Sequence, residues 1–105
     1  MPATYFYTAP TGVNVATTST EVAAEAAARR YLVLTNDSDT VIYLGVGSAA
    51  VLNSGLRVEA TGGKVVFGNE LFGDDVALRL PLTVQAVNGI HGGVGNKQML
   101  VQEVV

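Results

Sequence analysis

Residues Arg29 to Gly47 read RRYLVLTNDSDTVIYLGVG, two runs of strand-forming residues on either side of a polar break. Tyr31, Leu32, Val33 and Leu34 lead into Asn36, Asp37, Ser38 and Asp39, and Val41, Ile42, Tyr43 and Leu44 lead out to Gly45. β-Branched, aliphatic and aromatic residues suit a pleated, half-buried surface, and Asx and Ser residues bend the chain by bonding to their own backbone. This stretch predicts a β-hairpin and an all-β fold. The four polar residues also offer oxygen ligands, but a calcium loop needs a longer ladder of them with a closing carboxylate, so a hydrogen-bonded Asx turn is the simpler reading.

Strand-like segments extend outward from it. Val13 to Thr20 is Thr-rich, alternates weakly and suits a half-buried or edge strand. Leu56, Val58 and Ala60 alternate with Arg57 and Glu59; Thr61 to Lys64 form a turn before Val65, Val66 and Phe67. Val76, Leu78 and Leu80 form a further run that Pro81 stops, and Leu82, Val84 and Ala86 form another. Asn88 opens a glycine-rich loop to Asn96, and Met99 to Val105 read as a closing strand. One segment argues otherwise: Glu21 to Arg30 (EVAAEAAARR) is rich in the best helix former. A helix that short is marginal and nothing at Tyr31 caps it. A strand from Thr20 to Ala24, a tight connection through Ala26 to Ala28 and a second strand from near Arg30 is the preferred reading. About eight to ten short strands with regular turn signals predict a small antiparallel β-sandwich or β-barrel. Residues 1–12 read as an extended N-terminal arm and residues 13–105 as a single all-β domain.

The chain has 105 residues, 49% of them hydrophobic and only 14% charged, with a net charge of −3 and a mean hydropathy of +0.35. Such a chain offers no basic field for a phosphate backbone, so direct contact with nucleic acid is not expected. No apolar run is long enough to cross a bilayer and the first residues do not read as a signal peptide, so neither membrane contact nor export is expected. Without cysteine there is no disulfide and no thiolate metal site. Few charges and an apolar composition suggest a surface covered by association, in a homo-oligomer or on a larger particle.

Candidate chemistry is sparse. His91 is the only histidine, and general-base or metal chemistry needs partners that one residue cannot supply. Gly45, Gly47 and Ala50 fit a loose dinucleotide fingerprint, but Asn53-Ser54-Gly55 follows too soon for the helix that motif requires. Gly95-Asn96-Lys97-Gln98 lacks the Gly-Lys-Ser/Thr of a phosphate loop. Asp74 and Asp75 are adjacent and point to opposite faces of an extended chain. No catalytic residue, metal site or cofactor is expected. Tyr5, Phe6 and Tyr7 are the candidate partner-binding residues, because aromatic side chains bring large contact area at low entropic cost; the alternative is that they cover the domain's own core.

Arg30-Tyr31-Leu32-Val33-Leu34-Thr35-Asn36, then Val41-Ile42-Tyr43-Leu44-Gly45, Gly55-Leu56-Arg57-Val58, Gly62-Gly63-Lys64-Val65-Val66-Phe67 and Val101-Gln102-Glu103-Val104 follow one another in order. In this the chain resembles small structural proteins of tailed bacteriophages, over Thr18 to Val105; the segment Gly68 to Pro81 and the aromatic arm depart from the pattern. The resemblance implies a non-enzymatic capsid cement or decoration protein on the virion surface, made in the host cytoplasm. It would bind the major capsid protein and itself, with a trimer favoured and a dimer possible. The alternatives are a neck, tail or fibre-associated adaptor, or a carbohydrate-binding β-module using Tyr31, Tyr43 and the loop around His91.

Overall fold

A computed structural model describes residues 6–68, 78–80 and 83–105. Among the described residues nine strands follow in chain order: β1 (Thr11–Val15), β2 (Thr20–Ala23), β3 (Tyr31–Asn36), β4 (Ile42–Val46), β5 (Leu56–Val58), β6 (Gly63–Phe67), β7 (Leu78–Leu80), β8 (Val87–His91) and β9 (Lys97–Val104). They form two sheets, one in the order β1-β9-β3-β6-β7 and the other in the order β2-β8-β4-β5. Every pairing is antiparallel except β6 with β7. Of the predicted architectures, this is the sandwich.

Glu21 to Arg30 is strand, turn and strand, as its lack of a cap predicts. β2 ends at Ala23, the Arg29 amide donates to the Ala26 carbonyl at 3.2 Å, and β3 begins at Tyr31. The β-hairpin predicted for Arg29 to Gly47 does not form. Its two strands are real but lie in different sheets: β3 sits between β6 and β9, and β4 between β5 and β8. The polar break carries the chain across the sandwich instead of folding it back.

The reason is visible in the pairing. β1 pairs with β9, β2 with β8, β3 with β6, and β4 with β5. These four pairs are nested, as in one long hairpin whose closed end is the β4–β5 connection, rolled so that successive pairs alternate between two sheets. Rolling then brings β9 against β3 and β8 against β4. This is the jelly-roll arrangement, in which two packed sheets are wound from Greek keys. β7 is an addition beside β6. In such a winding β4 and β5 are paired neighbours in sequence, and the passages from β1 to β2, β2 to β3, β3 to β4, β5 to β6 and β8 to β9 each change sheet.

Alternation selects the core. Leu32 and Leu34 of β3, Val65 and Phe67 of β6, Met99 and Val101 of β9, Ile42 and Leu44 of β4, and Val58 and Val87 face one another between the sheets. Two further expectations fail in the second half of the chain. Asn88 to His91 belong to β8 and are not loop, and Thr83 to Ala86 form no strand; Leu82 lies outside the described residues. Gly89 misleads because glycine is ordinarily a turn residue. Here it is a crowded core position: a Cβ would stand 3.1 Å from Val22 Cγ2 and 3.4 Å from Ile42 Cγ2 on the two flanking strands of its own sheet, and 3.5 Å from Val15 Cγ1 of the opposite sheet.

Candidate functional site

Of the three aromatic arm residues, Tyr5 lies outside the described residues, while Phe6 and Tyr7 are 66% and 67% exposed. Neither ring is buried against the core. What holds this segment is its main chain. Phe6 N–H donates to the Val105 carbonyl at 2.9 Å and Val105 N–H returns a bond to the Phe6 carbonyl at 2.8 Å. Thr8 N–H donates to the Glu103 carbonyl at 2.9 Å, the Glu103 amide donates to Thr8 Oγ1 at 3.0 Å, and Gln102 Nε2 donates to the Thr8 carbonyl at 3.0 Å. Residues 6–8 thus extend the β1 edge along the end of β9.

The extension is offset. Tyr7 stands opposite Val104 and Thr11 opposite Val101, so the arm side holds one residue more than β9 between those points. The extra residue is accommodated around Ala9 and Pro10. A bulge there is a natural place for proline, which has no N–H to contribute to the ladder.

His91 is buried, contrary to its expected place in a loop. Its Nδ1 accepts the Gly93 amide at 3.0 Å and its Nε2 lies 2.6 Å from the Gly95 carbonyl. An Nδ1 that accepts an amide proton carries none itself, so Nε2–H is the donor to Gly95. Both nitrogens are occupied in shaping the turn from β8 to β9. Tyr31 is buried on the outward face of the first sheet, and Tyr43 is half-buried on the outward face of the second. Tyr43 and the loop around His91, through Gly92 and Gly93, line one shallow pocket, but Tyr31 lies on the other sheet and does not join them.

Asn36 makes the predicted Asx turn, its Oδ1 accepting from Ser38 N–H at 3.1 Å and Ser38 Oγ at 2.6 Å. Its Nδ2 donates to the carbonyls of Thr40 at 2.8 Å and Val58 at 3.2 Å. Asp39 is bound by Lys97 Nζ at 2.9 Å. The Lys97 ammonium and the Thr40 hydroxyl hold the Asp39 carboxyl below its ordinary value. Gly45, Gly47 and Ala50 lie at the end of β4 and in the following loop, and the chain from there to β5 forms no helix. Asp74 and Asp75 lie outside the described residues. Among the described residues no group of three or more His, Asp or Glu side chains is placed to hold a metal, and no helix is long and apolar enough to cross a membrane.

The residue that sequence reasoning missed is Arg29. Its side chain is fully buried, with Nε 2.7 Å from Glu103 Oε2. Nη1 donates to the carbonyls of Thr83 at 3.2 Å and Gln85 at 3.1 Å, and Nη2 donates to that of Ala24. One guanidinium thereby ties the β2–β3 passage, the segment before β8 and the end of β9. In the sequence it was hidden among alanines, and its partners lie as many as 74 residues away.

A shallow groove of about 440 Å³ beside this region is lined by Ser19, Glu25, Gly47, Ser48, Gln85 and Asn88 among others. Several of its polar groups serve the fold: Ser19 Oγ accepts the Ala50 amide at 2.9 Å, and Asn88 Nδ2 donates to the Ser48 carbonyl at 2.7 Å. What fold and surface define together is a class, a small jelly-roll sandwich displaying exposed aromatics on a main-chain-tethered arm. No family model, curated protein or solved structure matches the chain.

Proposed function

We propose that this protein is a non-enzymatic structural component of a tailed-phage virion, a cement or decoration protein that binds the shell of major capsid protein through its N-terminal arm. The observation that carries the reading is the display of Phe6 and Tyr7, two large aromatic rings left in solvent while their backbone is fastened to β9. An aromatic anchor held in a fixed frame gives up little conformational entropy on binding. Repetition of modest contacts over many equivalent sites of a symmetric shell multiplies them by avidity. The jelly roll is itself a frequent architecture of viral capsid domains, although lectins and cupins share it. The resemblance of the ordered strand motifs to those of small phage structural proteins supports the same reading.

The test is decoration of particles by the double variant Phe6→Ser/Tyr7→Ser. Loss of incorporation with an unchanged circular dichroism spectrum is expected; normal incorporation by the folded variant would sink the anchor. Copy number on the particle separates a shell component from a neck, tail or fibre adaptor, which would be confined to the particle's axis or its fibres.

A further inference from the structure

We infer that the free edge of β1 pairs with the same edge of a second copy of this chain, joining two five-stranded sheets across a two-fold axis. The inference is independent of the capsid reading and rests on a contrast among the sheet edges. An open strand edge is a template for another strand, and soluble proteins block it with charge, brevity or irregularity. The β5 edge is only three residues long and carries the Arg57–Glu59 ion pair at 2.7 Å. The β2 edge carries Glu21 and is broken by a register shift between Glu21 and Ala23. β7 is three residues long with Arg79 at its centre.

The β1 edge has none of these charges. Its five residues pair with β9 in unbroken register from Thr11 opposite Val101 to Val15 opposite Lys97. They lie within an N-terminal run of 20 residues that contains no Asp, Glu, Lys, Arg or His. Among the described residues nothing pairs with the outer side of β1, and Thr11, Gly12 and Asn14 are exposed.

This charge pattern favours a twin over a foreign strand. In a two-fold antiparallel pair, residues near the axis face their own copies, so any charge there would meet itself; a neutral strand avoids that repulsion. A foreign peptide added to a sheet edge draws its specificity from side-chain pockets. Gly12 and the short polar chains of Thr11 and Asn14 provide no pocket, whereas an identical strand needs only matching register.

Light scattering on the full chain after size exclusion should return twice the chain mass of 10.9 kDa. Asn14→Lys places a charge on the exposed edge and should halve that mass without altering the circular dichroism spectrum. Glu59→Lys, at the β5 edge, should leave it unchanged. Hydrogen exchange on the unmodified chain gives a reading that needs no variant: β1 amides should become slower as concentration rises. A single-chain mass throughout, a three-chain mass, or a two-chain mass indifferent to Asn14→Lys with β1 exchange independent of concentration would each overturn the inference. Because these measurements need no particle, their failure is distinct from failure of the Phe6/Tyr7 anchor.

Discussion

β3 is entered and left by two passages between the sheets, and each is locked by one buried polar side chain of a different kind. At its start a cation, Arg29, gathers three backbone carbonyls and a carboxylate. At its end a neutral amide, Asn36, joins the carbonyls of Thr40 and Val58 and bends the chain through Ser38. Every nitrogen and oxygen of both side-chain head groups has a partner, and among the described residues no buried side-chain polar atom is left without a hydrogen bond. They differ in reach. Asn36 mostly bonds within four residues of itself, whereas Arg29 joins segments that meet only when the jelly roll has closed. A jelly roll passes repeatedly from sheet to sheet, and each passage strands carbonyls that no ladder can satisfy. A short amide suffices where the chain turns tightly on itself; a long, many-donor cation is needed where separate segments converge.

The largest effect is expected at the cationic lock. Arg29→Met keeps much of the side-chain bulk but strands the three carbonyls and leaves Glu103 without its partner, a loss of about 3 kcal/mol or more in urea unfolding. Asn36→Ala should cost less, about 2 kcal/mol, because part of its corner can be rehydrated at the exposed Asp37 and Asp39. Equal losses would show that reach does not matter and break the contrast.

A third change should stabilise. The β5–β6 passage docks on the Asn36 corner, with Thr61 N–H on the Ser38 carbonyl at 2.7 Å and Gly62 N–H on that of Asn36 at 2.8 Å. Thr61 is held at φ 59° and is followed by Gly62 at φ 96°. A β-branched residue is strained in that region, and Asn-Gly is the pair best suited to two successive positive φ values. Thr61→Asn should therefore raise stability by about 0.5 to 1 kcal/mol in the same unfolding assay.

The smallest effect concerns pH. Asp39, in the β3–β4 passage, has its carboxyl depressed below 3.8 in the folded chain, chiefly by Lys97. A depressed carboxyl contributes stability that is present above its unfolded value and lost as pH falls through the folded one. The contribution should thus be complete above about pH 5 and fade below about pH 4. Comparing melting temperatures of the parent and Lys97→Met across that range checks it: the variant should lose the small advantage at neutral pH and converge with the parent in acid.

Much of this was legible locally. Alternation along Leu56 to Val58 marks a strand and its inward face, because side-chain direction has a period of two in any sheet, and the apolar run Tyr31 to Leu34 marks a strand by its residue types. The Asx turn was legible in Asn36-Asp37-Ser38, since its bonds close within the segment. The uncapped alanines of Glu21 to Arg30 correctly yielded a strand and a turn. Gly89 and His91 were misread, because glycine beside histidine looks like loop until the opposite sheet comes within contact. Arg29 carried no local signal, since Glu103, Thr83 and Gln85 are brought to it by distant parts of the chain and only Ala24 lies in its own passage.

Residue order alone specifies an all-β chain, most of its strands, the turn chemistry at Asn36 and an N-terminal segment without charged side chains ending in front of Glu21. All of these follow from bonds and preferences within a few residues. That Arg29 to Gly47 is a crossing and not a hairpin follows from long-range strand pairing. A polar break of that length serves either purpose, and the choice belongs to the partners. β6 and β9 satisfy both edges of β3, β5 and β8 satisfy both edges of β4, and neither strand has an edge left for the other.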